Sequence, residues 1–176
     1  SRQNARQVIA EAGLAAIWLA AALSLLQILL TIGEFRDWWH EPRGLRAVAV
    51  AQGLLCLIAF AALLVVFART DLSVELVAEN SHSAKPFIYK IAGAWGNHEG
   101  SMLLWVTVLG LSGAALALFS RKLDEKVLIA GLGAQAALAL GFHAFLLLAS
   151  NPFARLDPPA AEGRGLNPLL QDPGLA

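Results

Sequence analysis

The sequence predicts an all-α, polytopic membrane protein: four transmembrane helices, two short basic connections and two extended external loops. Three observations carry this prediction. Of the 176 residues, 57% are hydrophobic and only 15% charged, well off the balance of a soluble domain. Four charge-free stretches approach or exceed the roughly 20 helical residues needed to cross a hydrocarbon core about 30 Å thick. Finally, cationic residues crowd into the two shortest connections between those stretches.

The first stretch, Ala12 to Ile32, has 21 residues without a charge, and the second, Ala47 to Ala68, has 22. Met102 to Phe119 gives 18, the shortest of the set, and Val127 to Ser150 gives 24 with Gln135 and His143 inside. A buried helix of a soluble protein is amphipathic, whereas these runs are apolar on every side. Small residues within them (Gly110, Ser112, Gly113, Gly131, Gly133) suit helix–helix contacts. The chain therefore divides into a four-helix membrane region, 1–150, with spans of about 12–32, 47–68, 102–119 and 127–150, and a loop, 151–176, in which Pro152, Pro158, Pro159, Pro168 and Pro173 exclude most regular structure.

Lys and Arg near span ends resist transfer across the membrane. Arg36, Arg43, Arg46, Arg121, Lys122 and Lys126 lie in the connections 33–46 and 120–126, six of the 13 cationic residues in a small part of the chain. Placing these connections in the cytoplasm puts the N-terminus, the 33-residue loop 69–101 and the loop 151–176 outside. The apolar run behind Arg2 and Arg6 is longer than a signal-peptide core and lacks a small-residue cleavage site, so the first span is read as retained. Both chain ends read as cuts in a longer protein.

Thirteen basic residues balance 13 acidic ones, which gives no footprint for nucleic acid and no polybasic tail. Cys56 is the only cysteine, so neither an intrachain disulfide nor a cysteine-based metal centre is expected. No metal site is predicted in this chain.

The string Trp95-Gly96-Asn97-His98-Glu99-Gly100-Ser101 stands where the external loop enters the third span. It combines an interfacial indole, an imidazole able to ligate iron or carry a proton, an adjacent carboxylate, and two glycines that permit close backbone approach. As bare chemistry the His98–Glu99 pair fits ligation, proton handling or a helix cap. His143 is an ionisable side chain inside the fourth span, a position where such groups are costly and commonly functional. Remaining neutral and bonding to a neighbouring helix is its bland alternative. His40 and His82 read as solvated loop residues, and Trp38-Trp39 as an interfacial anchor.

Three blocks resemble, in order, the CcmF family of cytochrome c maturation proteins. Asp71-Leu72-Ser73-Val74 with Val77-Ala78-Glu79-Asn80-Ser81 resembles the start of the family's first large periplasmic loop. Trp95 to Ser101 resembles its W-G-x-H-E-G-S stretch. Ser150-Asn151-Pro152-Phe153, Pro158-Pro159, Gly163-Arg164 and Leu166-Asn167-Pro168-Leu169-Leu170-Gln171-Asp172-Pro173-Gly174-Leu175 resemble the loop before the family's next helix. The resemblance implies a haem lyase component that delivers haem to apocytochrome c during c-type cytochrome biogenesis. It also implies a multi-pass protein of the bacterial inner membrane, or alternatively the mitochondrial one, with a periplasmic N-terminus.

The implied cofactor is haem b. The implied partners, beside membrane lipid and the remainder of CcmF, are the haem chaperone CcmE, a CcmH-type thioreductase and apocytochrome c chaperone, and apocytochrome c itself. In the family a His-Pro-Pro follows the Q-D-P-G-L stretch and a tryptophan-rich segment comes later. Both would lie beyond Ala176, so haem ligands are expected there and the fragment alone is expected to be inactive. Trp95, Gly96, His98, Glu99, Gly100 and Ser101 are then candidates for haem handling or for shaping the loop. Competing readings are a non-catalytic scaffold fragment and a small transporter subunit. The latter predicts charges within the spans, and the four apolar runs contain none.

Overall fold

A computed structural model describes residues 2–40, 42–156 and 158–165. The string Leu166 to Leu175 lies outside the described residues. Six helices follow in order: α1 (Arg2–Phe35), α2 (Pro42–Ala68), α3 (Glu75–Asn80), α4 (Phe87–Gly93), α5 (His98–Phe119) and α6 (Glu125–Leu148). Four of them, α1, α2, α5 and α6, are long and apolar enough to cross a membrane. Only 33–39% of each apolar window is buried inside the bundle, yet the outward residues include Trp18, Leu29, Trp105 and Leu138. An all-round apolar surface of this kind is stable against lipid rather than water. The fold is therefore the predicted one, all-helical with four membrane helices.

Local chemistry sets several helix ends. Pro42 opens α2, where its missing N–H would have had no partner and its fixed φ suits the first turn. Asp124 caps α6 by accepting from the Lys126 amide at 2.9 Å. Past α1 the chain reverses through Asp37, which has φ of +53°, while Trp38 N donates to Gly33 O at 3.0 Å. The Trp39 ring covers Gly33, where a Cβ would lie 2.1 Å from its atoms. Arg46 donates to the Ala117 carbonyl at 2.6 Å and so satisfies an orphan acceptor near the end of α5.

Helix α2 lies between α1 and α5, and α6 closes the ring from the other side. Close approach depends on missing side chains: a Cβ on Gly53 would meet the Gly110 carbonyl oxygen at 2.6 Å, and one on Gly133 would meet Thr31 at 2.4 Å. Of the small residues expected at contacts, Ser112 instead faces outward and bonds back to Val108 O.

The bundle interior contains a polar network. Gln27 donates to Gln135 Oε1 at 2.8 Å and to Leu132 O at 2.6 Å; Gln135 donates to Gln52 Oε1 at 3.0 Å; Gln52 donates to Ser24 Oγ at 2.9 Å. It ties α1, α2 and α6 together where each amide would otherwise be orphaned in hydrocarbon.

The structure corrects three expectations. Helix α1 extends beyond Ala12 and Ile32 at both ends and carries Glu11 and Glu34. Glu34 is 8% exposed and 3.2 Å from His40, whose side chain is solvated as expected and also approaches Glu125 at 3.3 Å, so it lies between α1 and α6. Helix α5 starts at His98, four residues before the apolar run, because Asn97 caps it. The loop 69–101 is partly helical, through α3 and α4.

Candidate functional site

Loop 69–97 begins with Thr70 in the left-handed region at φ +50°. Asp71 Oδ1 accepts from Ser73 N at 3.2 Å and Ser73 Oγ at 2.7 Å, which turns the chain into α3. Val74, Leu76 and Val77 are buried with Phe67 of α2 in the principal apolar cluster. Ala92 and Gly93 of α4 pack over the same end, and a Cβ at Gly93 would press on the Phe67 ring at 3.0 Å.

The segment 151–165 is laid onto this loop rather than standing free. Glu75 N donates to Ala154 O at 2.8 Å, Leu156 N to Ser73 O at 2.9 Å, and Arg164 N to Ala78 O at 2.7 Å. Val74 and Arg155 form an antiparallel bridge. Phe153 is buried against Gly13 of α1, and Arg155 reaches Gln7 O at 2.8 Å. Loop 69–97 and segment 151–165 thus form one cap over the end of the bundle that carries the N-terminal part of α1.

Two titrations in the cap have clear physical causes. Glu162 accepts from Ser83 Oγ at 2.6 Å, and this bond, with the Gly163 and Ser83 amides, pulls its carboxyl down to about 2. His82 lies 3.8 Å from Glu162, so it too has a partner in the folded loop. Partial burial lowers the Lys85 ammonium to about 8.

Within Trp95 to Ser101 the backbone is knotted to the first turn of α5. Asn97 Oδ1 accepts from Gly100 N at 2.6 Å while its Nδ2 donates to Gly93 O at 2.7 Å. Ser101 Oγ donates to Trp95 O at 2.5 Å. A Cβ on Gly100 would sit 1.7 Å from the Ala94 carbonyl oxygen. Trp95 is half-buried against the apolar cluster, and Gly96 N donates to Ala92 O at 3.1 Å. His98 is exposed, its ring edge-on to Phe145 at 6.1 Å, and Glu99 stands in the first turn of α5, where the helix dipole favours a carboxylate.

Sequence reasoning left a helix cap as one of three readings of the His98–Glu99 pair, and the structure places the capping side chain on Asn97. An Asx residue directly before a helical run is the signal that would have found it. His143 is far from this loop's surface: it is fully buried in α6, with Nε2 3.6 Å from Cys56 Sγ and Nδ1 without a hydrogen bond among the described residues. The glutamine network and the Cys56–His143 contact escaped the sequence reading, since each depends on helix register.

The described histidines do not make a ligand pair for haem. His143 is enclosed, His40 and His82 face carboxylates, and His98 stands alone at the bundle end. Among the described residues no three His, Cys, Asp or Glu side chains converge on a possible metal position.

Comparison with known proteins agrees with this architecture. Residues 95–176 match the family model described as cytochrome C assembly protein, so the matched region opens at Trp95. The chain is 48% identical over 170 residues to the cytochrome c-type biogenesis protein CycK of Rhizobium meliloti, covering 96% of this chain and 25% of that protein. It is 45% identical over 170 residues to the cytochrome c-type biogenesis protein ccl1 of Rhodobacter capsulatus, covering 96% and 26%. The solved structure titled cytochrome c heme lyase CcmF superposes with a TM-score of 0.77 at 27% identity, covering 82% of this chain and 24% of that one. These findings define a multi-pass helical membrane protein of the cytochrome c assembly class. The chain belongs to the CcmF-type proteins of cytochrome c-type biogenesis, and it spans about a quarter of the length of the curated relatives it matches.

Proposed function

We propose that this chain is part of a haem lyase component that delivers haem to apocytochrome c, and that it contributes the membrane scaffold and an outer cap rather than the haem ligands. Residues 1–150 are the membrane region and 151–176 belong to the outer loop. The observation that supports this best is the tying of Trp95 to Ser101 onto α5 beneath a cap built from both loops. A solved haem lyase of this fold is its structural neighbour.

In this reading the cap faces the periplasm of a bacterial inner membrane, because the basic connections 36–46 and 121–126 lie at the opposite end of the bundle. Haem b takes its axial ligands from residues beyond Ala176. CcmE, a CcmH-type protein and apocytochrome c meet the assembled protein on the capped side. Trp95, Gly96, His98, Glu99, Gly100 and Ser101 shape the surface there, with Asn97 as their cap and His98 as the one imidazole free to touch a bound group. His143 acts as a packing residue of α6.

The test places His98→Ala, His98→Gln and Glu99→Gln in the full-length protein and measures membrane abundance beside the yield of covalent cytochrome c. A shaping role predicts that His98→Gln keeps most of the yield. Normal abundance with loss of haem in both His98 variants would make His98 a ligand and overturn the assignment.

A further inference from the structure

We propose that the basic end of the bundle carries a binding site for one phospholipid with an anionic headgroup, seated between α2 and α5. The cleft there has a volume of about 470 Å³. Val50, Leu54 and Leu118 give it apolar sides, and Ala47, Ala51 and Ala117 keep it open because their side chains are short. Leu54 and Leu118 are more than half exposed, so the cleft opens on the face that a membrane helix turns to lipid. Its one polar lining residue is Arg46.

Arg46 directly precedes the charge-free run that begins at Ala47, which puts it at the membrane surface. Its Nη1 donates to the Ala117 carbonyl of α5 at 2.6 Å. That bond holds the half-buried guanidinium at the head of the cleft and leaves its other N–H groups without an acceptor among the described residues. Further cations stand at the same end. Arg43 lies one turn before Arg46 on the same face of α2, and Arg121 and Lys122 follow Ala117 and Leu118 by one turn just past the end of α5. The side chains of Arg43, Arg121 and Lys122 make no hydrogen bond or ion pair among the described residues. The acidic residues that follow them are engaged elsewhere: Asp124 accepts from the Lys126 amide, and Glu125 faces His40. Topology requires only that cations stay in these connections. It does not require one of them to be tethered at the mouth of an apolar cleft.

An apolar trough with a cationic head selects an amphipathic occupant. From Arg46 to Leu54 the helix advances about 12 Å, close to the depth of one leaflet, which is half of a hydrocarbon core about 30 Å thick. An acyl chain laid along Ala47, Ala51 and Leu54 therefore spans most of its leaflet, and its phosphate falls beside Arg46, whose planar fork matches two phosphate oxygens. A neutral helix in the trough would leave the cations unused, and a soluble anion would leave the trough empty. Basic pockets between membrane helices hold anionic lipid by the same chemistry. The site lies at the end of the bundle opposite the cap and uses none of its residues, so it stands or falls independently of the haem-delivery reading.

The test uses the full-length protein in a cysteine-free background, labelled with bimane at Leu54→Cys, in nanodiscs of phosphatidylcholine with a fixed fraction of phosphatidylglycerol. Chain-brominated lipid quenches the fluorophore on contact, and the bromine is placed on either lipid at the same mole fraction. Brominated phosphatidylglycerol should quench as though enriched about fivefold over brominated phosphatidylcholine, the attraction of about one surface cation for anionic lipid, and added salt should shrink the preference. A bimane at Leu138→Cys, exposed at a similar depth in α6, should show no preference. Arg43→Gln/Arg46→Gln should abolish the preference at Leu54. Because Arg46 also supports α5, the second variant is Arg43→Gln/Arg121→Gln, which removes no side-chain contact among the described residues and should lower the preference at unchanged membrane abundance and thermal unfolding. Equal quenching by the two lipids at Leu54, the same preference at Leu138, or a preference that survives both double variants would overturn the proposal. Quenching by neither lipid would place another helix of the protein in the cleft and would overturn it too.

Discussion

Replacing Gly100 with alanine isolates the backbone knot on which the candidate surface depends. The added methyl would lie 1.7 Å from the Ala94 carbonyl oxygen and 3.0 Å from Asn97 Oδ1. The nearest obstacle is main chain, so no rotamer change relieves it. Either the 94–97 turn moves outward, or α5 unwinds its first turn and gives up the bond between Gly100 N and Asn97 at 2.6 Å. Overpacking of about 1–3 kcal/mol and loss of a cap worth about 1 kcal/mol together place the cost at about 2–4 kcal/mol. Gly141 serves as the control, because a Cβ there meets nothing within 4 Å, and Gly141→Ala in mid-helix should stabilise by about 0.5–1 kcal/mol. The assay is thermal unfolding of the purified full-length protein together with membrane abundance. Wild-type stability for Gly100→Ala, or equal effects at both glycines, would refute the account.

Gln135→Leu should cost about 1–2 kcal/mol, in the upper range for hydrogen bonds within membranes, because it removes one acceptor of Gln27 and the donor to Gln52 Oε1; a double-mutant cycle with Gln52→Leu should show coupling. In a Cys56→Ala background, cysteines at Ala84 and Ala161 should react with an impermeant thiol reagent in spheroplasts while one at Leu123 should not, and the reverse pattern would invert the topology. The clasp between Ser83 and Glu162 depends on pH with a definite sign. The folded carboxyl titrates at about 2, below its ordinary value of 4.5, so its stabilisation is complete above about pH 4.5 and is lost as pH falls through 2. Amide exchange at Arg164 and Gly165 should accelerate over that window, and Glu162→Gln should remove the dependence.

The sequence by itself determined the four membrane helices, their order and the membership of two distant loops in one recognisable pattern. Each of these is written in contiguous residues: a charge-free run fixes a span because every unpaired backbone group in hydrocarbon must bond within its own helix. The cap at Asn97 is also a local bond, across three residues, and the Asx signal for it went unread. Tertiary structure decided what is non-local. That segment 151–165 lies along loop 69–97, that Gln27 meets Gln135, and that His143 meets Cys56 are pairings across 75 residues and more of chain. No local pattern specifies them, because they follow from the rotation of each helix about its axis, and helices apolar on every side carry no hydrophobic stripe to announce that rotation. Glycines at the crossings and the few buried amides set it instead, and their partners become visible only once the helices are packed.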